Sequence, residues 1–229
     1  NYNSYSPVDG YADLKAAICE KFKSDNGLEY QASQVVVSTG AKQSIANVCM
    51  VLLDPGDEVL LPAPYWVSYA EIVKLAKGVP VVLPTSIEDD YKIKPEALAA
   101  AINEKTRMVI YSSPCNPSGS VYTLEETQAI AEVLLQNDNI ITISDEIYEL
   151  INFTPKHASL AGIPGMMDRV VTVNGVSKGF AMTGWRLGYL GAPKWIASAC
   201  NKIQGQITSA PCSIAQAAAA AAVAADPSI

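Results

Sequence analysis

The sequence predicts an α/β fold of three layers, α/β/α, in which a mainly parallel seven-stranded sheet lies between two layers of helices. Two observations predict it. Short apolar runs rich in β-branched residues alternate along the chain with segments of helical periodicity. The chemically distinctive residues follow the ends of these runs, where open parallel sheets bind ligands. The seven runs lie near residues 35, 59, 81, 109, 142, 171 and 188.

The first element is a helix that follows a polar, turn-like segment over Asn1 to Pro7. Leu14, Ile18 and Phe22 recur at about one turn, and Asn26-Gly27 is a pair that ends helices.

A strand, a glycine turn and a helix start come next. Val35 to Ser38 is a β-branched run, and Gly40, Ala41 and Lys42 lead from it into an apolar helix. Unpaired N–H groups at a helix N-terminus point outward and the helix dipole favours negative charge, so this turn is a candidate anion site. An ordinary βα turn is the alternative, since the P-loop spacing is missing.

An aromatic pair follows the next strand. A turn at Asp54 to Asp57 leads into the strand Glu58 to Leu61, and two prolines then precede Tyr65 and Trp66. A rigid approach and an aromatic pair suit a flat face for a flat ring, although such a pair more often belongs to a core.

Three elements separate this pair from the next polar turn. They are a helix over Glu71 to Lys77, a strand over Val79 to Leu83 and a helix over Pro95 to Ile102 with proline in its first turn. The strand Arg107 to Tyr111 then ends in a proline-rich turn that holds Asn116, for which simple turn capping is the alternative.

A carboxylate stands at the end of the following strand. Thr123 to Glu126 fit a capping box at the head of a helix to about Gln136, and the strand Ile140 to Ile143 leads to Asp145 and Tyr148. A buried carboxylate is costly without a partner, and a protonated ring nitrogen would be one. A helix-capping aspartate is the alternative.

Lys178 is the residue around which the chain is organised. It follows the strand Arg169 to Val173 among small residues, beside Ser177. An amine in such a partly desolvated site loses proton affinity and becomes a nucleophile. A solvated lysine at a strand end is the alternative. Arg186 can present a planar fork to a phosphate. Two helices close the chain, over Pro193 to Gln204 and Pro211 to Ala225.

Composition excludes several classes of partner. The chain has 229 residues, 49% of them hydrophobic, and a net charge of −7 with only 16 Lys and Arg, which argues against nucleic acid and membrane surfaces. Five scattered cysteines without metal-ligand spacing predict reduced thiols, no metal site and a cytoplasmic location. The single His157 is interpreted as a loop or packing histidine.

The segment Thr172 to Tyr189, TVNGVSKGFAMTGWRLGY, resembles the lysine segment of fold-type-I aminotransferases of the aspartate aminotransferase family. The resemblance covers nearly the whole chain. It implies that residues 1–229 are the large domain that binds pyridoxal 5′-phosphate (PLP), without the N-terminal segment and the small C-terminal domain. Lys178 would then hold PLP as a Schiff base.

The same resemblance implies roles at the two ends of PLP. Trp66 stacks on the pyridine ring, Asn116 and Tyr148 address its 3′ oxygen, and Asp145 keeps its nitrogen protonated, so Lys178, Asp145 and Tyr148 are the catalytic set. The phosphate contacts are Ser177, Arg186 and the backbone amides of Gly40, Ala41 and Lys42.

Two positions qualify this picture. In the resembling family, a tyrosine in the segment that holds Tyr5 reaches across a homodimer interface to the partner's cofactor phosphate. Packing of Tyr5 on its own helix is the alternative. Gly175 stands where many relatives have serine, which puts one phosphate contact in doubt.

The implied reaction is transfer of an amino group from aspartate to 2-oxoglutarate, with Trp66, Asn116 and Lys42 contacting substrate. Prephenate, aromatic or alanine-type transamination is the alternative. The arginine that clamps the substrate α-carboxylate in the family has no counterpart here, so weak or no activity is expected from this chain alone. A PLP-binding module of a transcription regulator and a domain that has lost its cofactor are further alternatives.

Overall fold

A computed structural model of the chain describes residues 2–154 and 156–225. Asn1, Pro155 and residues 226–229 lie outside the described part of the chain. The described residues form seven strands, namely β1 Val35–Ser38, β2 Glu58–Pro62, β3 Val79–Leu83, β4 Thr106–Ser112, β5 Ile141–Asp145, β6 Val170–Gly175 and β7 Gly188–Gly191. Their α-helices are α1 Ala12–Asn26, α2 Ala41–Leu52, α3 Ser68–Leu75, α4 Pro95–Ala101, α5 Leu124–Leu135, α6 Lys194–Ile207 and α7 Ser213–Ala224.

The strands form one sheet in the order β1-β7-β6-β5-β4-β2-β3. Strands β2 to β6 pair in parallel, and β7 runs antiparallel to both of its neighbours, β1 and β6. The prediction of a mainly parallel seven-stranded sheet is confirmed.

A separate hydrophobic cluster lies on each face of this sheet. One cluster receives side chains from α1, α4, α5 and α7, such as Phe22 and Leu134. The other receives side chains from α2, α3 and α6, such as Val48 and Ile196. The three-layer arrangement is therefore confirmed, and the alanine-rich α7 is a packed helix whose Ala219 is fully buried.

Local signals position the helix ends. Gly27 takes the left-handed conformation after α1, with φ of 69°, and Pro95 opens α4. At the start of α5, the Thr123 hydroxyl accepts from the Glu126 amide at 3.2 Å and the Glu126 carboxylate accepts from the Thr123 amide at 2.7 Å. The predicted capping box is therefore present.

Candidate active site

A cavity of about 240 Å³ opens where the parallel strands end. Nine of the eleven site residues predicted from the sequence line it. The predicted residues in its wall are Ala41, Lys42, Trp66, Asn116, Asp145, Tyr148, Ser177, Lys178 and Arg186.

One end of the cavity is built for an anion. Gly40 precedes α2 with φ of 83°, and a Cβ on it would lie 2.5 Å from Nη2 of Arg186. Arg186 itself has a left-handed backbone and donates from Nη1 to the Thr183 carbonyl oxygen at 2.8 Å. The guanidinium therefore lies against the backbone at the positive end of the α2 dipole, and both favour a bound phosphate.

Two more glycines bring α2 down onto the sheet. Gly175 and Gly188 face each other across β6 and β7. A Cβ on Gly188 would lie 2.2 Å from the Ala41 nitrogen, and one on Gly175 would lie 2.8 Å from the Gly188 Cα. Serine does not fit at position 175 without moving backbone, which is the physical reason for glycine there.

Gly188→Ala is expected to lower the free energy of unfolding by about 1–3 kcal/mol, because the added methyl overpacks against backbone at the start of α2. The same shift should weaken phosphate binding. Urea denaturation and phosphate titration measure the two effects. Gly184→Ala is the matched control, since a Cβ at Gly184 meets open space. Equal effects from both substitutions would contradict the packing argument.

The cavity wall also holds a buried carboxylate. Asp145 ends β5 and is only 4% exposed. The Tyr69 hydroxyl donates to its Oδ2 at 2.5 Å, and the Ile147 amide donates to its Oδ1 at 3.3 Å. Burial raises the pKa of Asp145 to about 6, while the bonds from Tyr69 and Ile147 oppose that rise. The helix-cap interpretation is wrong, because residues 147–150 form a turn.

Lys178 and Tyr148 face each other across the cavity. Lys178 is half-buried after β6, and its Nζ lies 5.7 Å from the centroid of the Tyr148 ring. A Cβ on Gly179 would lie 2.7 Å from Cδ1 of Leu150, so glycine lets the lysine segment pack directly on the turn that carries Tyr148. The solvated-lysine interpretation does not describe this position.

Aromatic side chains form a further part of the cavity wall. Trp66 packs edge-on against Tyr69, with ring centroids 5.6 Å apart. The Lys42 ammonium lies 4.8 Å from the Trp66 ring centroid. Asn116 lies in a turn closed by the bond from the Gly119 amide to the Cys115 carbonyl oxygen at 2.8 Å. This wall supplies a flat face, an ammonium and an amide to whatever the cavity binds.

A sequence model of the family described as "Aminotransferase class I and II" matches residues 1–229. The chain belongs to this family. The bifunctional aspartate aminotransferase and glutamate/aspartate-prephenate aminotransferase of Petunia hybrida is 51% identical over 223 residues, which cover 97% of this chain and 47% of the relative. The chain thus spans about half the length of the curated relatives it matches.

Two solved structures of aminotransferases superpose on it closely. The aspartate aminotransferase of Rhizobium meliloti has a TM-score of 0.96 at 42% identity, over 98% of this chain and 56% of that one. The aromatic aminotransferase of Pyrococcus horikoshii OT3 has a TM-score of 0.95 at 41% identity, over 98% and 61%. The fold of this aminotransferase-family chain is therefore shared along almost its whole length.

Two of the eleven predicted site residues lie outside the cavity wall. Gly40 lies just behind it, against Arg186. Tyr5 is 98% exposed, so it does not pack on its own helix, and that alternative is wrong.

Four residues of the cavity wall were not predicted. Tyr69 had a signal, since it stands one helical turn after Trp66 and carries a polar tip on the same face. The other three, for which the sequence carried no distinguishing pattern, are Ser112, Ile147 and Thr183. Among the described residues, no helix is long and apolar enough to cross a membrane.

Proposed function

We propose that this chain is the cofactor-binding large domain of a PLP-dependent aminotransferase that transfers an amino group from aspartate to 2-oxoglutarate. The observation that carries the proposal is one cavity lined by Lys178, the buried Asp145 and the anion site at Arg186. These are the groups that a phosphorylated pyridine aldehyde needs at its aldehyde, its ring nitrogen and its phosphate.

The residues present fit PLP on physical grounds. The start of α2 and the Arg186 guanidinium favour the phosphate, and Ser177 also lines the cavity. Asp145 is buried with a raised pKa, and a protonated ring nitrogen would stabilise its charged form. Trp66 supplies the face for the ring.

When bound, PLP supplies an electron sink for the substrate carbanion. Lys178 would hold the cofactor through its Nζ, and the freed Nζ would accept the proton from the substrate Cα. Asp145 would stabilise a proton on the ring nitrogen. Asn116 and Tyr148 would orient the ring through its 3′ oxygen.

The substrate assignment rests on Lys42 and on the names of relatives. The Lys42 ammonium stands over Trp66 in the cavity wall and can pair with the second carboxylate of aspartate or 2-oxoglutarate. The Petunia relative is named for aspartate and prephenate. The Pyrococcus structure is named for an aromatic activity, so aromatic, prephenate or alanine-type donors are the competing proposals.

The remaining parts of the enzyme are proposals as well. The arginine that clamps the substrate α-carboxylate would come from the region of the relatives that this chain does not match, so the chain alone should transaminate weakly or not at all. Tyr5, fully accessible in one chain, would reach the phosphate site of a second chain in a homodimer. We place the enzyme in the cytoplasm, which its five free cysteines support.

PLP titration of the purified chain tests the cofactor assignment. A new absorbance band, trapped by borohydride and mapped by peptide mass spectrometry to Lys178, is expected. Covalent label at another lysine, or none in the chain and in the full-length parent protein, would overturn the proposal. Initial rates of the parent with aspartate, phenylalanine, prephenate and alanine as separate substrates then decide the specificity.

A further inference from the structure

The segment from Asp145 to Glu149, which ends β5 and enters the turn of Tyr148, has a second, buried side. Asp145 and Tyr148 line the cavity, whereas Glu146 and Glu149 contact residues of α1, β5 and β6. Glu146 is 1% exposed and Glu149 is 8% exposed. Two buried carboxylates directly behind a ligand cavity are costly unless they are paired and hydrogen-bonded.

Glu149 is paired and hydrogen-bonded on both oxygens. Its Oε1 accepts from Nζ of Lys21 in a short contact and from Nδ2 of Asn174 at 2.6 Å. Its Oε2 accepts from Nδ2 of Asn26 at 2.8 Å. Lys21 is 5% exposed; burial would lower its pKa, but the charges of Glu149 and Asp25 outweigh burial and raise it.

Glu146 is satisfied in the same way. Its Oε1 accepts from the hydroxyls of Ser144 and Ser159 at 2.8 and 2.7 Å, and its Oε2 lies 2.9 Å from Nε2 of His157. One carboxylate oxygen from each of Glu146 and Glu149 and one ring nitrogen of His157 lie within 4.8 Å of one another, a spacing compatible with a cation. Every carboxylate oxygen already has a protein partner, so the cluster is a hydrogen-bonded network. His157 is part of this packing, as the sequence predicted.

Asn174 connects this network to the lysine side of the cavity. Its Oδ1 accepts from the Gly175 amide at 2.8 Å while its Nδ2 donates to Glu149. Asn174 lies on β6, four residues before Lys178. One side chain therefore joins the turn of Tyr148 to the segment of Lys178, and Lys21 fixes the joint to α1.

We propose that Glu149, held by Lys21 and bonded to Asn174, is a positioning residue that fixes the Tyr148 turn relative to the Lys178 segment. The network lies behind the part of the cavity wall formed by Asp145 and Tyr148, here called the ring end. The anion end at Gly40 and Arg186 is held instead by the start of α2 and by the bond from Arg186 to Thr183. For cofactor geometry the proposal rests on the function proposed above; the coupling of the two segments stands on the contacts alone.

Amide hydrogen exchange of the chain without cofactor tests the coupling. Lys21→Met/Glu149→Met replaces the ion pair by apolar side chains of similar size, a change that often leaves global stability intact. Exchange in residues 146–151 and 173–178 should quicken together by about tenfold, while residues 41–52 stay as in the wild type. Lys15→Met, which breaks the α1 ion pair with Asp9, is the matched control and should change neither segment.

A conservative variant separates positioning from general support. Lys21→Met/Glu149→Gln restores the acceptor for Asn174 without a buried charge, and the NH2 group of the glutamine can donate to Oδ1 of Asn26 once that amide turns over. Protection of both segments should therefore return. Loosening of one segment only, loosening of residues 41–52 as well, or no recovery with glutamine would each overturn the proposal. Asn174→Ala, which removes the donor to Glu149 without adding a buried charge, repeats the comparison should the Met/Met chain not fold.

PLP capture supplies the second readout. Lys21→Met/Glu149→Met should slow covalent attachment at Lys178 by about tenfold and leave the affinity for inorganic phosphate unchanged, since only the ring end is displaced. An equal loss of both would show a structural role alone. If neither the wild-type chain nor its full-length parent captures PLP, the proposed function fails, and the exchange measurement still decides the network.

Discussion

Lys178→Ala abolishes covalent capture of PLP by this chain, the largest effect we expect from any single substitution. Only a primary amine forms the borohydride-reducible bond, and alanine leaves none at this position. The cavity, its anion end and Asp145 remain, so PLP still binds reversibly, with an affinity lower by about tenfold or more. Borohydride treatment followed by intact mass measures the covalent fraction.

Lys42→Ala is the matched control for this result. Lys42 is the second lysine in the cavity wall, and its ammonium lies over Trp66. Capture should therefore persist in Lys42→Ala, while the affinity for dicarboxylates falls. Label that persists in Lys178→Ala and disappears in Lys42→Ala would reverse the two assignments.

The positions of Lys42 and Lys178 show how much of the site can be predicted from the sequence. Strand and helix positions follow from short apolar runs and end signals such as Gly27 and Thr123, because these are local properties. Residues at the ends of parallel strands meet at one edge of the sheet, so the sequence alone predicts that Asp145 and Lys178 share one site.

The contacts behind the site were less accessible. The network behind the site joins three different elements, which carry Lys21, Glu149 and Asn174. No sequence spacing predicts that these side chains are in contact. Gly175 was noted as a missing serine, but its cause is the backbone of Gly188 across the sheet. Non-local packing decides both cases, and periodicity carries no information about it.

Asp145→Asn is expected to stabilise the chain in the absence of PLP, in spite of removing a predicted catalytic group. The pKa of Asp145 is about 6 in the folded chain, above its ordinary value of 3.8, mainly because of burial. Between those values the folded state binds more protons than the unfolded state, so stability falls as pH rises. Above pH ~6 the full penalty of a buried charge, about 2–3 kcal/mol, is present.

Asparagine carries no charge at any of these pH values, so the variant escapes the penalty. The difference in unfolding free energy between variant and wild type should be small near pH 4, grow to pH ~6 and stay constant above it. Urea denaturation at closely spaced pH values measures it. A difference that does not depend on pH would show that Asp145 is not the titrating group.

Tyr69→Phe should act in the opposite direction. It removes the hydroxyl that donates to Asp145 Oδ2, a bond to a charged group worth about 1.5–3 kcal/mol, so the chain is destabilised at neutral pH. The pKa of Asp145 then rises further and the pH-dependent window moves upward.

Binding of PLP should reverse the order of stability of the wild type and Asp145→Asn. A protonated ring nitrogen neutralises the buried carboxylate of the wild type, and asparagine offers it no charge, so the wild type gains more stability from PLP than Asp145→Asn does. Thermal unfolding with and without PLP at pH 8 measures both gains. A larger gain in the variant would show that Asp145 is not the partner of the ring nitrogen. The buried charge of Asp145 lowers the stability of the chain without PLP, and a cationic partner in the ligand should restore that lost stability.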